Sequence, residues 1–95
     1  MYQPEFTNTL SEILNGLFKN NYSRYEKIKK KMDQILIYPH HYKPFRYDLK
    51  GYRSVHIDTH FVLVFRIVED TEIVKFIDFD HHDKIYYKRF RYYAA

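Results

Sequence analysis

Ninety-five residues leave room for one domain, residues 1–95, built around one core. With 45% apolar and 29% charged residues, two Gly, three Pro and no Cys, the composition excludes a disordered chain, a disulfide scaffold, a thiolate metal centre and a glycine-rich phosphate loop. The formal net charge is +4, and residues 84–95 hold the whole excess as a basic, aromatic C-terminal tail with Lys84, Lys88, Arg89 and Arg91 and no acid. Residues 19–50 carry nine bases against three acids, whereas residues 51–83 carry three bases against seven acids. That pattern suits a polyanionic or acidic partner as well as an ordinary solvated helix face. Eleven Tyr and eight Phe supply large side chains to a core that must hold by packing alone.

In chain order, Tyr2 to Phe6 is expected as a short strand, confined to a sheet edge by Pro4. Leu10, Ile13, Leu14, Leu17 and Phe18 then fall on one helical stripe, with Thr7 or Thr9 as cap and Thr9 with Glu12 fitting a capping box. Ser23 with Glu26 fits a second box, ahead of a stripe of Tyr25, Ile28, Met32, Ile35 and Leu36. Lys27, Lys30 and Lys31 lie off that stripe. Tyr38-Pro39 stops this helix, and the short link between the helices predicts an antiparallel hairpin. Residues 39–50 read as a loop. From Gly51 the period becomes two, with Tyr52, Ser54 and His56 on one face and Arg53, Val55 and Ile57 on the other. His60 to Ile67 and Thr71 to Asp80 are the next strands, separated by a turn at Glu69-Asp70. The expected fold class is α+β: the helix hairpin packs on a three- to four-stranded, largely antiparallel sheet whose other face is left open for a ligand. No window approaches eighteen consecutive apolar residues, so no membrane partner is expected. The first ten residues lack the basic region and apolar run of a secretory signal, so a cytoplasmic protein is expected.

Histidine is the enriched catalytic residue type, with six copies. His56 and His60 bracket the first hairpin turn, His81 and His82 follow the third strand of the meander, and His40 and His41 sit in the loop. Imidazole titrates near neutrality, so a pair of them serves as base and acid in one reaction. Arg53, Arg66, Lys50 and Lys84 are candidates for stabilising phosphate charge, and Tyr52, Phe61 and Tyr86 for stacking on bases. These are the parts needed for RNA cleavage without a metal. No metal site is expected: His56 and His60 have helical ligand spacing but flank a strand turn, and adjacent residues of an extended chain, such as His81 and His82, point apart. The acidic pair Asp78/Asp80 reads as solvated carboxylates at a strand end.

Lys43 to Tyr86 carries a more specific signal: LKGYRSVHI, then FVLVF, then His82 four residues before the aromatic Tyr86. With the order strand, two helices, three strands, it resembles the RelE/ParE superfamily of type II toxins and looks most like the YafQ-type branch of ribosome-dependent mRNA endonucleases. The resemblance implies a RelE-like fold and no metal cofactor. It also implies a ribosome and mRNA as targets, and a cognate antitoxin that forms a hetero-oligomer with the toxin, for which the exposed sheet edge is a natural strand-addition site. By position, the family's strand histidine falls on His56, its C-terminal histidine on His82, its final aromatic on Tyr86 and its strand aromatic on Phe61. The family's acidic residue falls on His60, its loop histidine on Lys43 and the RelE-type strand arginine on Val62, so this chain departs from the pattern at those three positions. Two other readings stand beside a nuclease: a ParE-like gyrase-inhibiting toxin, and a non-catalytic RNA- or protein-binding module.

Overall fold

The computed structural model describes residues 1–44, 51–68 and 70–85. Its elements are β1 (Gln3–Phe6), α1 (Asn8–Asn20), α2 (Tyr22–Ile37), a 3-10 turn at Pro39–His41, β2 (Tyr52–Ile57), β3 (Phe61–Val68) and β4 (Ile73–His81). The sheet order is β1-β4-β3-β2. β2, β3 and β4 form an antiparallel meander, while β1 runs parallel to β4 at the edge, where Pro4 costs no ladder bond. No helix among the described residues is long and apolar enough to cross a membrane.

Both helix starts use a cap nearer the N-terminus than the capping boxes suggest. Thr7 caps α1, accepting from the Leu10 N–H at 3.1 Å. Asn21 is the whole link between the helices. Its N–H donates to the Leu17 carbonyl at 2.7 Å, and its side chain accepts from the Arg24 N–H at 3.2 Å. One residue thus closes α1 and opens α2, and the helix begins before Ser23 is reached. Tyr38, out of the helical region at φ −148° and ψ 74° before Pro39, ends α2 as expected.

The core lies between the hairpin and one sheet face. Leu10, Ile28, Met32, Ile35 and Leu36 bury against Ile57, Leu63, Phe65, Ile67, Val74, Phe76 and Phe79, with Ile13, Leu14, Leu17 and Val55 at the margin. Phe18 is not part of it. It is 54% exposed at the hairpin tip, where its ring meets Tyr22 at 5.3 Å and Tyr25 at 5.2 Å. Its position at the end of α1 carries it past the sheet.

The opposite sheet face is not open along its length. Val62, Val64 and Ile77 are buried there with Ile85, and Tyr52 packs at their side. The residues from His82 to Ile85 begin a helical turn that folds back over the sheet. Asp78 is fully buried on this face, paired across the ladder with Val64, rather than solvated at a strand end.

A bulge in β4 sets these faces. Val64 pairs with Asp78 but Phe65 pairs with Phe76, so Ile77 is an extra residue. Phe76 and Phe79 therefore both face the helices, three positions apart, while Ile77 and Asp78 face the other way. Thr7 holds the bulge: its hydroxyl donates to the Ile77 carbonyl at 2.6 Å and its N–H to the Phe76 carbonyl at 3.1 Å. A second tie joins α2 to the β2–β3 turn, where Asp58 accepts from Lys27 at 2.8 Å and from Arg24 at 3.4 Å.

Replacing Thr7 by Val keeps the shape but removes both side-chain bonds, and is expected to destabilise the fold by about 1–3 kcal/mol, whereas Thr7→Ser retains most of the stability. Urea unfolding of the two variants measures the difference. The Asp58 carboxyl is held below the ordinary carboxylate range, first by the Lys27 hydrogen bond and then by the Lys27 charge and the Arg24 bond and charge, against partial loss of water. A depressed folded pKa stabilises the fold above the unfolded value of about 4 and loses that contribution as pH falls through the lower folded value. Asp58→Asn, which still tolerates the positive φ of 57° at this turn, is therefore expected to unfold earlier than the parent at pH 7. That gap should close below about pH 4, as read from melting curves across pH.

Candidate functional site

The β2–β3 hairpin closes at the Ile57–Phe61 pair, leaving Asp58, Thr59 and His60 as its loop. Asp58 supplies the left-handed conformation such a loop requires, with φ 57°. The β3–β4 ladder carries the same row across the sheet: Phe61 pairs with His81, and the His82 N–H donates to the His60 carbonyl at 2.8 Å. Backbone pairing alone therefore delivers His60, His81 and His82 to one end of the sheet.

Their rings meet there. The centroids of His60 and His81 are 5.6 Å apart, those of His60 and His82 6.1 Å, and those of His81 and His82 4.8 Å, with interplanar angles of 13°, 22° and 27°. His82 Nδ1 is 3.3 Å from the His60 carbonyl oxygen. Asp83 anchors the cluster from the other side. Its N–H donates to His81 Nδ1 at 3.3 Å, and its carboxylate oxygens lie 3.1 Å from His82 Nε2 and 3.7 Å from His81 Nδ1. One ring nitrogen of each histidine lies within 4.8 Å of the other two. His81 and His82 do not point apart as an extended chain would have them, because the backbone turns helical at His82.

His56 belongs to the same end of the sheet but to another row. It pairs with Val62, which pairs with Asp80, so it sits on β2, one strand beyond β3, and about 10 Å from β4 at the usual strand spacing. It is exposed between two grooves. One, of about 400 Å³, is lined by Lys27, Lys30, Lys31 and Gln34 of α2; the other, of about 450 Å³, is lined by His41, Tyr42, Lys43 and Ser54. Lys43 is thereby placed beside His56, exposed, with its carbonyl accepting from the Ser54 N–H at 3.3 Å.

The remaining expected site residues are dispersed. Phe61 faces the helices, stacked on Phe79 at 5.4 Å with the Arg24 guanidinium 4.1 Å above its ring, so it does not share a face with His56. Arg53 is a tether: its guanidinium donates to the Tyr42 carbonyl at 2.6 Å. Burial pushes the Tyr42 phenol up, which keeps it neutral. Arg66 is exposed near the far end of β3, 5.9 Å over the Tyr52 ring. Lys84 is exposed on the turn after the histidines. Tyr86, Lys50 and the basic tail beyond residue 85 lie outside the described residues. His81 and Asp83 are the members that sequence reasoning left without a role, since only the cross-strand register places them beside His60.

The family model described as the ParE toxin of the type II toxin–antitoxin system parDE matches residues 4–86. A candidate toxin of Methanocaldococcus jannaschii, RelE4, is 46% identical over 89 residues, covering 94% of this chain and 95% of its own. A variant of the Escherichia coli toxin RelE in the free state superposes with a TM-score of 0.75 at 15% identity, over 95% of each chain. YafQ from the Escherichia coli DinJ–YafQ complex gives a TM-score of 0.68 at 19% identity, over 90% of this chain and 99% of its own. The solved structures speak for the fold, and the family match over most of the length speaks for kinship: this chain belongs to the ParE toxin family of type II toxin–antitoxin systems, within the RelE/ParE superfamily.

Proposed function

We propose that this toxin is a ribosome-dependent mRNA endoribonuclease that works by general acid–base catalysis with its own imidazoles. The observation that carries the reading is the gathering of His56, His60 and His82 at one end of the sheet, with Lys27, Lys30, Lys31 and Lys43 around His56. One imidazole takes the proton of a ribose 2′-OH. The 2′ oxygen attacks the adjacent phosphorus and the bond to the 5′ oxygen breaks. A second, protonated imidazole gives its proton to that leaving oxygen. The products are a 2′,3′-cyclic phosphate and a 5′-OH, so the step balances with no cofactor. Among His56, His60 and His82, the pair His60 and His82 is the closer for this exchange, with ring centroids 6.1 Å apart, and His56 reaches the same phosphate only if the strand of RNA lies across β3. Tyr86, which lies outside the described residues, is the base-stacking aromatic in this reading by the family resemblance alone. Arg66 and Lys84, both exposed, attract the backbone.

Solved neighbours include the RelBE and RelBE2 toxin–antitoxin complexes, and YafQ and YoeB occur in complexes with DinJ and YefM, which supports a cognate antitoxin as the partner that silences this chain in a hetero-oligomer. Translated mRNA as substrate assigns the action to the cytoplasm. A second reading, gyrase inhibition without RNA cleavage, is favoured by the match to the ParE family model.

Primer extension on translated mRNA after induction separates the two. The nuclease reading expects growth arrest with new 5′ ends inside coding regions, and a fall in cleavage of at least about 10²-fold for His82→Ala. Arrest without new ends supports the gyrase reading. A His82→Ala variant as toxic as the parent rules out the assigned site.

A further inference from the structure

We propose that His60, His81 and His82 form a binding site for one divalent late transition-metal ion, Zn²⁺ being the type case. The argument begins with the donors. Three imidazoles and no thiolate, with a carboxylate adjoining, are the ligand set of Zn²⁺, Ni²⁺ and Cu²⁺ rather than of oxygen-loving Mg²⁺ or Ca²⁺. Geometry is the second support. The three nitrogens lie within 4.8 Å of one another, and Zn–N bonds of about 2.0–2.1 Å call for nitrogens roughly 3.4 Å apart. Closing the difference requires the rings to rotate out of their stack so that their lone pairs converge, which happens at the rim of the sheet, where the His81 and His82 side chains are 37% and 34% exposed.

Preorganisation is the third. The Phe61–His81 pair and the bond from the His82 N–H to the His60 carbonyl hold the three Cα positions on the ladder itself, so the backbone cost of assembling the site is met by folding. Asp83, 3.1 Å from His82 Nε2 and 3.7 Å from His81 Nδ1, supplies the anionic group that commonly orients a ligating imidazole, and offsets part of the charge of the ion. Three protein ligands leave a fourth position for water or for the Asp83 carboxylate. His40 and His41 are the contrast: His40 meets Tyr2 at 6.3 Å and His41 meets Tyr38 at 6.2 Å and Tyr42 at 5.3 Å, and among the described residues no third imidazole or carboxylate gathers with them.

One consequence for activity rests on the nuclease reading. An ion held by His60 and His82 occupies the nitrogens that would carry protons, so loading would switch cleavage off. The binding test is independent of that reading, because it measures the ion and not the reaction.

Zn²⁺ is titrated by calorimetry into the purified, untagged full-length chain, the His81→Gln variant and a His40→Gln/His41→Gln control. One equivalent should bind the parent and the control alike, with affinity lowered roughly tenfold or more in His81→Gln. Saturating Zn²⁺ should raise the melting temperature of the parent and not of the variant. If His81→Gln fails to fold, His60→Gln at the exposed turn replaces it. Equal binding by the parent and the cluster variant, or a loss confined to the His40/His41 control, overturns the site. Zn²⁺ binding without loss of RNA cleavage would leave the site standing and remove only its inhibitory consequence.

Discussion

One extra residue in β4 decides which side chains meet which. Between Val74 and Phe76 the strand alternates with a period of two, and the same alternation continued unbroken would send Asp78 and Asp80 into the helix-facing core and Phe79 out of it. Ile77 breaks the period. After the bulge, Phe79 and His81 lie on the helix side, and Asp78 and Asp80 on the other. The carbonyl of Ile77 is taken up by the Thr7 hydroxyl, the same group that caps α1. The start of the first helix and the phase of the last strand are thus one structural event, and the position of the histidine cluster follows from it.

Around that constraint the molecule is held at two further points. Asn21 lets two helices meet with a single residue between them, which keeps them close enough to share one sheet face. Asp58 ties the lysine-bearing side of α2 to the hairpin between β2 and β3. The second tie sets the geometry of this end of the molecule: the hairpin turn is flanked by His56 and His60, and α2 brings Lys27, Lys30 and Lys31 to the groove beside His56. An exposed ion pair contributes little to overall stability. Its effect here is positional, since it keeps the cationic helix face beside the imidazoles.

The superfamily fold is shared with relatives at 15–19% identity, so the frame does not by itself specify the chemistry. At the sheet end this chain carries a stack of three imidazoles, His60, His81 and His82, with Asp83 at its edge.

Much of the architecture was legible from periodicity. The stripes of α1 and α2, the edge strand with Pro4, the stop before Pro39 and the three-stranded meander all follow from local side-chain spacing and backbone chemistry, because those signals span only a few residues. Phe18 departs because a helical stripe says which way a residue faces, not whether the sheet extends far enough to meet it. Ser23 departs because Asn21 offers an earlier cap, and Asp78 because the bulge and the turn over Ile85 bury a face that alternation alone leaves open. The histidine-rich composition, and the match of His56 and His82 to a toxin pattern, were in the chain from the start. That His60, His81 and His82 form one cluster while His56 stands a strand away was decided only by the tertiary structure: their convergence is set by cross-strand register between segments more than twenty residues apart, and register depends on a bulge that no local period announces.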